Sequence, residues 1–134
     1  MFKLETSVKL HDTDAAGLLF FASQFLFAHD AYEAYLNSQG LGFAAVLRDG
    51  GYKLPIVRAE ADYSKPLAVG DRLTVEMTAE KVSVHSFVLA YRLLAADGSE
   101  VGRVRTVHVC VDGVSGNKIA LPPDLRAALQ KIAV

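Results

Sequence analysis

Phe2 to His11 alternates without a break. Phe2, Leu4, Thr6, Val8 and Leu10 fall on one side, and Lys3, Glu5, Ser7, Lys9 and His11 on the other. A period of two predicts a half-buried strand. Asp12 to Gly17 ends the alternation, and its Asp, Thr and Gly residues favour a loop. From Phe21 to Gln39 the chain is rich in Ala, Leu, Phe, Glu and Gln, lacks proline, and meets Gly40 as a stop. One long helix is predicted there. On a wheel, Ser23, Leu26, His29, Asp30, Glu33 and Asn37 share about a third of the circumference, and apolar residues fill most of the rest, so the helix should be buried over most of its surface. A short helix over Phe43–Arg48 is predicted before a DGG turn.

Strands follow to about residue 112. Pro55–Tyr63 sets Val57, Ala59, Ala61 and Tyr63 against Arg58, Glu60 and Asp62. Arg72–Val82 sets Leu73, Val75, Met77 and Ala79 against charged and hydroxyl residues. Val84–Ala95 places His85, Phe87, Leu89, Tyr91 and Leu93 on one face. Asp97-Gly98 marks a hairpin turn, and Val101–Val111 is β-branched. Pro123–Ile132 closes with a helix whose Leu125, Ala128, Leu129 and Ile132 form a stripe. The order predicts an α+β fold in which one curved antiparallel sheet covers one buried helix.

The chain's 134 residues suit a single domain spanning 1–134. Such a length buries roughly two-thirds of the unfolded surface, so neither disulfide nor metal is needed to hold a core. With 51% hydrophobic residues, some apolar surface is left for an oligomer interface. A formal charge of −1 with no Lys/Arg block argues against nucleic acid or an anionic membrane as partner. The longest apolar run, Ala15–Ala22, is far too short to span a bilayer. The N-terminus alternates and has no signal-peptide core. A single cysteine, Cys110, permits no intrachain disulfide, and the default expectation is a cytoplasmic protein.

Chemistry concentrates in HDTDAAGLLFF, residues 11–21, where a loop leads into the long helix. A helix N-terminus offers free N–H groups and the positive end of a dipole. A carboxylate beside it gives a base or nucleophile next to an oxyanion site, which suits acyl transfer. Asp12 and Asp14 can equally be cap or turn residues, and spacing alone leaves both readings open. His11 can tune the pair or simply be solvated. His29 and Glu33, one turn apart, can contact a ligand, a partner subunit or only each other. Ser83, His85 and Ser86 lack a G-x-S-x-G elbow. His108 and Cys110 share a strand face but form a poor zinc site without a third ligand, so no metal is expected.

The stretch DTDAAGLLFFASQFLFAHDAYEAYL resembles the D-x-D-x-x-G signature of the 4-hydroxybenzoyl-CoA thioesterase branch of the hotdog-fold superfamily. LPIVRAEADYSKPLAVGDRL, VSVHSFVLAYRL and RTVHVCV follow in the matching order. DTDAAG, HDAYEAYL, LP-x-V and HVC are similar to the subgroup that hydrolyses 1,4-dihydroxy-2-naphthoyl-CoA in phylloquinone and menaquinone synthesis. The resemblance implies a hotdog fold and a thioesterase with Asp14 as catalytic carboxylate. It implies that Gly17 allows the tight approach to the helix and that the Phe21 backbone N–H polarises the thioester carbonyl. Asp12 would shape the loop. Read from the residues themselves, His29 and Glu33 can meet the acyl group or partner subunit or form only a structural pair, and Arg103, Arg105 and Lys118 can meet the nucleotide phosphates or simply be solvated. No metal or redox cofactor is implied, coenzyme A being part of the substrate. Subunits would pair as a homodimer or dimer of dimers with sites between chains. The alternatives are a thioesterase for another aryl or short acyl group, and a non-catalytic acyl-thioester-binding hotdog subunit. A hotdog dehydratase fits less well, because His29 lies too far from the Asp pair.

Overall fold

The computed structural model describes residues 1–49 and 51–134, so Gly50 of the DGG turn lies outside the described residues. In chain order the elements are β1 (Phe2–Ser7), α1 (Ser23–Ser38), α2 (Phe43–Asp49), β2 (Tyr52–Lys53), β3 (Ile56–Tyr63), β4 (Arg72–Val82), β5 (Ser86–Ala95), β6 (Glu100–Val109), β7 (Val111–Asp112) and α3 (Pro123–Lys131). Five strands form one antiparallel sheet in the order β1-β4-β5-β6-β3. α1 lies on its inner face against β1, β4 and β6.

The expected strand periodicity holds where the sheet is covered. Leu73, Val75, Met77 and Ala79 of β4, and Phe87, Leu89, Tyr91 and Leu93 of β5, are all buried beneath the helices. α1 answers with Phe27, Ala28, Ala31, Tyr32, Tyr35 and Leu36, an i, i+1, i+4, i+5 pattern that makes one helical face. α3 buries Leu125, Ala128 and Leu129, and the Tyr35 hydroxyl donates to the Ala128 carbonyl at 2.6 Å, joining the two helices.

Several expectations are corrected. β1 stops at Ser7, and Leu10 is 76% exposed. The Val8 N–H donates to Asp71 O, and its carbonyl accepts from Gly70, before the chain turns into a 3-10 turn over Leu10–Asp12. α1 begins at Ser23 because a tight turn, Ser23 N–H to Phe20 O, precedes it. Ser23 is buried, not on the polar strip. The rest of that strip is exposed as its place on the wheel predicts, Leu26 at 60% with it. His85 lies outside β5 and is exposed. The strand read over Val101–Val111 breaks at Cys110, and β7 instead pairs with β2, an element the pattern does not reveal. β3 is an edge strand, exposed at every residue but the half-buried Ala61.

Candidate active site

The loop from Thr13 to Leu19 is a small hairpin. Thr13 pairs with Leu19, the Asp14 N–H donates to Leu18 O at 2.8 Å, and Gly17 N–H returns to Asp14 O at 3.0 Å. Gly17 has φ +76°, a left-handed conformation that glycine adopts without penalty. The hairpin is tied to the segment before β4 by the Leu19 N–H on Leu67 O at 2.7 Å.

The two aspartates meet different fates. Asp12 is buried and accepts the Lys9 N–H on Oδ2 at 2.8 Å, while its main-chain carbonyl accepts the Phe20 N–H at 2.9 Å. His11 Nε2 lies 3.5 Å from Asp12 Oδ1, so that imidazole serves Asp12 and not Asp14. Asp12 is a loop-shaping residue, as the resemblance implies. Asp14 is exposed. Its Oδ1 accepts the N–H groups of Ala16 at 2.9 Å and Leu18 at 3.3 Å. Its Oδ2 accepts from no donor among the described residues.

Asp14 and Phe21 line one cavity of about 340 Å³, with Gln24, Tyr63, Ser64 and Lys65 on its other walls. The Phe20 carbonyl is occupied by the Ser23 N–H, and the Phe21 N–H donates to no acceptor among the described residues. A trans peptide holds C=O and N–H opposed. The free N–H therefore points away from the helix's own bonding. The pocket combines a fixed carboxylate with a free oxygen and an unclaimed backbone donor. Tyr63, Gln24 and Lys65 escape sequence reasoning because Tyr63 and Lys65 lie more than 40 positions from the loop, and Gln24 reads only as a residue of the long helix.

The other predicted residues lie elsewhere in the chain. His29 and Glu33 line a largely apolar cavity of about 590 Å³ with Tyr32, Tyr52 and Lys53. His29 also borders a second cavity of about 330 Å³, with Leu26, Ala59 and Tyr91. Arg103 and Arg105 stand on the outer face of the sheet. Arg103 Nε donates to Glu100 at 2.9 Å, and Arg105 Nη2 to Glu80 at 3.0 Å. These hydrogen bonds hold both the Glu100 and the Glu80 carboxyls below their usual range. Lys118 borders a separate hollow of about 400 Å³ with Ser83, His85 and Ser86.

Beneath the His29 cavities lies a buried polar cluster. His108 stacks on Phe87 at 4.6 Å and shares a 2.8 Å hydrogen bond from Nε2 with Thr106 Oγ1. Burial, and then the nearby His29, push its pKa down to about 4. Burial raises the Tyr32 and Tyr91 hydroxyls and the Cys110 thiol above their ordinary values. Cys110 is a small core residue, as expected. Among the described residues no group of three or more His, Cys, Asp or Glu side chains is arranged to hold a metal. No helix among them is long and apolar enough to cross a membrane.

Comparison with known proteins bears on the family and the fold. Residues 8–129 match the model of the thioesterase-like superfamily. A 1,4-dihydroxy-2-naphthoyl-CoA hydrolase of Synechocystis sp. is 34% identical over 129 residues, covering 96% of this chain and 94% of the relative. A Synechococcus elongatus protein of the same name is 34% identical, covering 96% and 95%. The crystal structure of a 1,4-dihydroxy-2-naphthoyl-CoA thioesterase from Synechocystis superposes with TM-score 0.92 at 33% identity, covering 98% of this chain and 96% of that one. A hypothetical protein from Aquifex aeolicus superposes with TM-score 0.89 at 26% identity, covering 96% and 99%. With its five-stranded sheet on one long helix and a D-x-D loop at the helix start, the chain belongs to the thioesterase-like superfamily and has the hotdog fold.

Proposed function

We propose that this protein hydrolyses 1,4-dihydroxy-2-naphthoyl-CoA to 1,4-dihydroxy-2-naphthoate and coenzyme A, in menaquinone or phylloquinone synthesis. The observation that carries the reading is the shared cavity of Asp14 and Phe21. Relatives with that printed substrate, at 34% identity over nearly the whole chain, support the acyl group.

The free Oδ2 of Asp14 either adds to the thioester carbonyl or takes a proton from water that adds to it. In both routes the carbonyl oxygen gains charge, the Phe21 N–H stabilises it, and the C–S bond breaks to release the CoA thiolate. In the first route water then hydrolyses the mixed anhydride and restores Asp14. Gly17 keeps the hairpin tight enough to bring Asp14 to the helix start. No metal or redox cofactor enters either route.

The acyl site is completed by a second subunit in this reading. β3 leaves one side of its backbone unpaired and exposes Ile56, Val57 and Tyr63. An exposed apolar edge favours pairing with another strand. Antiparallel pairing of β3 with its own copy brings the Tyr63 end, with the Asp14 cavity, beside the partner's Ile56 end. The partner's His29 and Glu33 then line the aryl pocket, within a dimer or a dimer of dimers. Lys118, beside Ser83, His85 and Ser86, is the residue we assign to the nucleotide phosphates. Arg103 and Arg105 are engaged by Glu100 and Glu80, and we assign them to holding the outer face. A buried free thiol suits the reducing cytoplasm.

The test is free thiol release from naphthoyl-, 4-hydroxybenzoyl-, benzoyl- and straight-chain acyl-CoAs, with wild type and Asp14→Asn. A preference for 1,4-dihydroxy-2-naphthoyl-CoA that vanishes in the variant is expected. Asp14-dependent turnover of other thioesters would overturn the substrate, and no Asp14-dependent turnover at all would leave an acyl-thioester-binding subunit.

A further inference from the structure

Two side chains absent from the mechanism above anchor the start of α1. Gln24 is buried, and its Nε2 donates both to Asp62 O at 2.9 Å and to Arg103 O at 3.1 Å, bridging β3 and β6. It fits only because position 102 is glycine. A Cβ there would overlap the Gln24 carboxamide. The register of β6 against β5 shifts beside this glycine, between Leu93 and Leu94. From β3, the Tyr63 hydroxyl donates to the Phe21 carbonyl at 2.7 Å. With Ser23 N–H on Phe20 O at 2.9 Å, the carbonyls on both sides of the Phe21 Cα are held. The peptide plane that carries the Phe21 N–H is thus held by Ser23, and the plane that follows the Phe21 Cα by Tyr63, so the chain on both sides of Phe21 is fixed from outside the hairpin that carries Asp14.

We propose that Gln24 and Tyr63 are positioning residues that aim the Phe21 N–H at the oxyanion, an inference that rests on the thioesterase reading. Neither needs to touch the substrate. Oxyanion donors act by being aligned before charge develops, and a displacement of about 1 Å can cost ~10²-fold in rate. Tyr63 is 51% exposed in the single chain, and phenylalanine keeps its aromatic ring while losing the hydroxyl, so Tyr63→Phe removes the clamp without opening a cavity.

The experiment measures kcat and KM with the best aryl-CoA substrate, melting temperature, and backbone amide spectra. Tyr63→Phe is expected to lower kcat roughly 10-fold, by the loss of alignment, with KM and melting temperature nearly unchanged. Gln24→Leu lowers kcat in the same way. Gly102→Ala reaches the same carboxamide from β6, so the Gln24→Leu/Gly102→Ala double variant is no slower than the worse single one. Unchanged kcat in Tyr63→Phe overturns the proposal, as do Gln24 and Gly102 losses that multiply. Loss of the bond to the Phe21 carbonyl also moves the Ala22 amide nitrogen resonance. If wild type shows no Asp14-dependent turnover, the thioesterase reading fails separately, and that resonance decides the clamp: a shift sustains it and no shift overturns it.

Discussion

The outer face of the sheet and the hairpin at Asp14 both carry carboxylates, and they treat them in opposite ways. On the outer face Glu76, Glu80 and Glu100 all meet cations. Glu76 lies 3.3–3.4 Å from Arg92 and Lys3, Glu80 faces Arg105, and Glu100 sits between Arg92 and Arg103. Arg92 and Arg103 stand directly opposite each other across β5 and β6, and Glu100 accepts from both. At Asp14 the carboxylate is oriented by uncharged backbone donors on one oxygen, and the other oxygen is left open. Counter-charges make a surface quiet. Neutral donors fix a carboxylate's direction and leave its reactivity available.

The contrast is broken most severely at Asp14. Asp14→Asn keeps the acceptor for the hairpin N–H groups but removes the base or nucleophile. Turnover should fall by ~10²–10⁴-fold with little change in melting temperature. A loss of stability with turnover retained would put Asp14 with the outer-face acids.

The interior shows a third treatment, in which charge is kept out. His108 is fully buried with a pKa near 4, below the ordinary value of 6.5. Between those two values the unfolded chain binds a proton that the folded chain does not. Stability therefore declines as pH falls from about 6.5 towards 4 and levels off below, by on the order of 3 kcal/mol from this group. Denaturant titrations across that window should show the decline, and His108→Leu should flatten it.

Gly17→Ala forces a Cβ into a left-handed conformation with open space around it. The expected loss is about 1–2 kcal/mol, all of it backbone strain. Turnover should fall as well, because the hairpin sets Asp14. The smallest effect belongs to the outer face. Glu80→Gln should change stability by less than about 1 kcal/mol and leave kcat/KM for the aryl thioester intact. A rate loss there would make the outer face part of the catalytic design.

The elements that could be read from sequence are those with a covered face. β4, β5 and α3 place their apolar stripes where periodicity puts them, because one side of each meets the core. β3 alternates equally well, yet both its faces are open in the single chain. β2 and β7 are two residues each, too short for any period. The turn of Asp14 is legible from Gly17. Gln24 was not legible, because a buried amide facing a glycine 78 positions away by residue number leaves no local trace. The alternation puts Tyr63 with the apolar residues of its strand, and its hydroxyl partner on Phe21 belongs to long-range packing.

The open side of β3 has a thermodynamic consequence. Eight residues of backbone have one unclaimed edge, flanked by Leu26 and Phe21 at 60% and 63% exposure. If that edge closes on a second copy, dilution acts as a denaturant. The melting temperature should climb with protein concentration by mass action, and turnover per chain should climb with it.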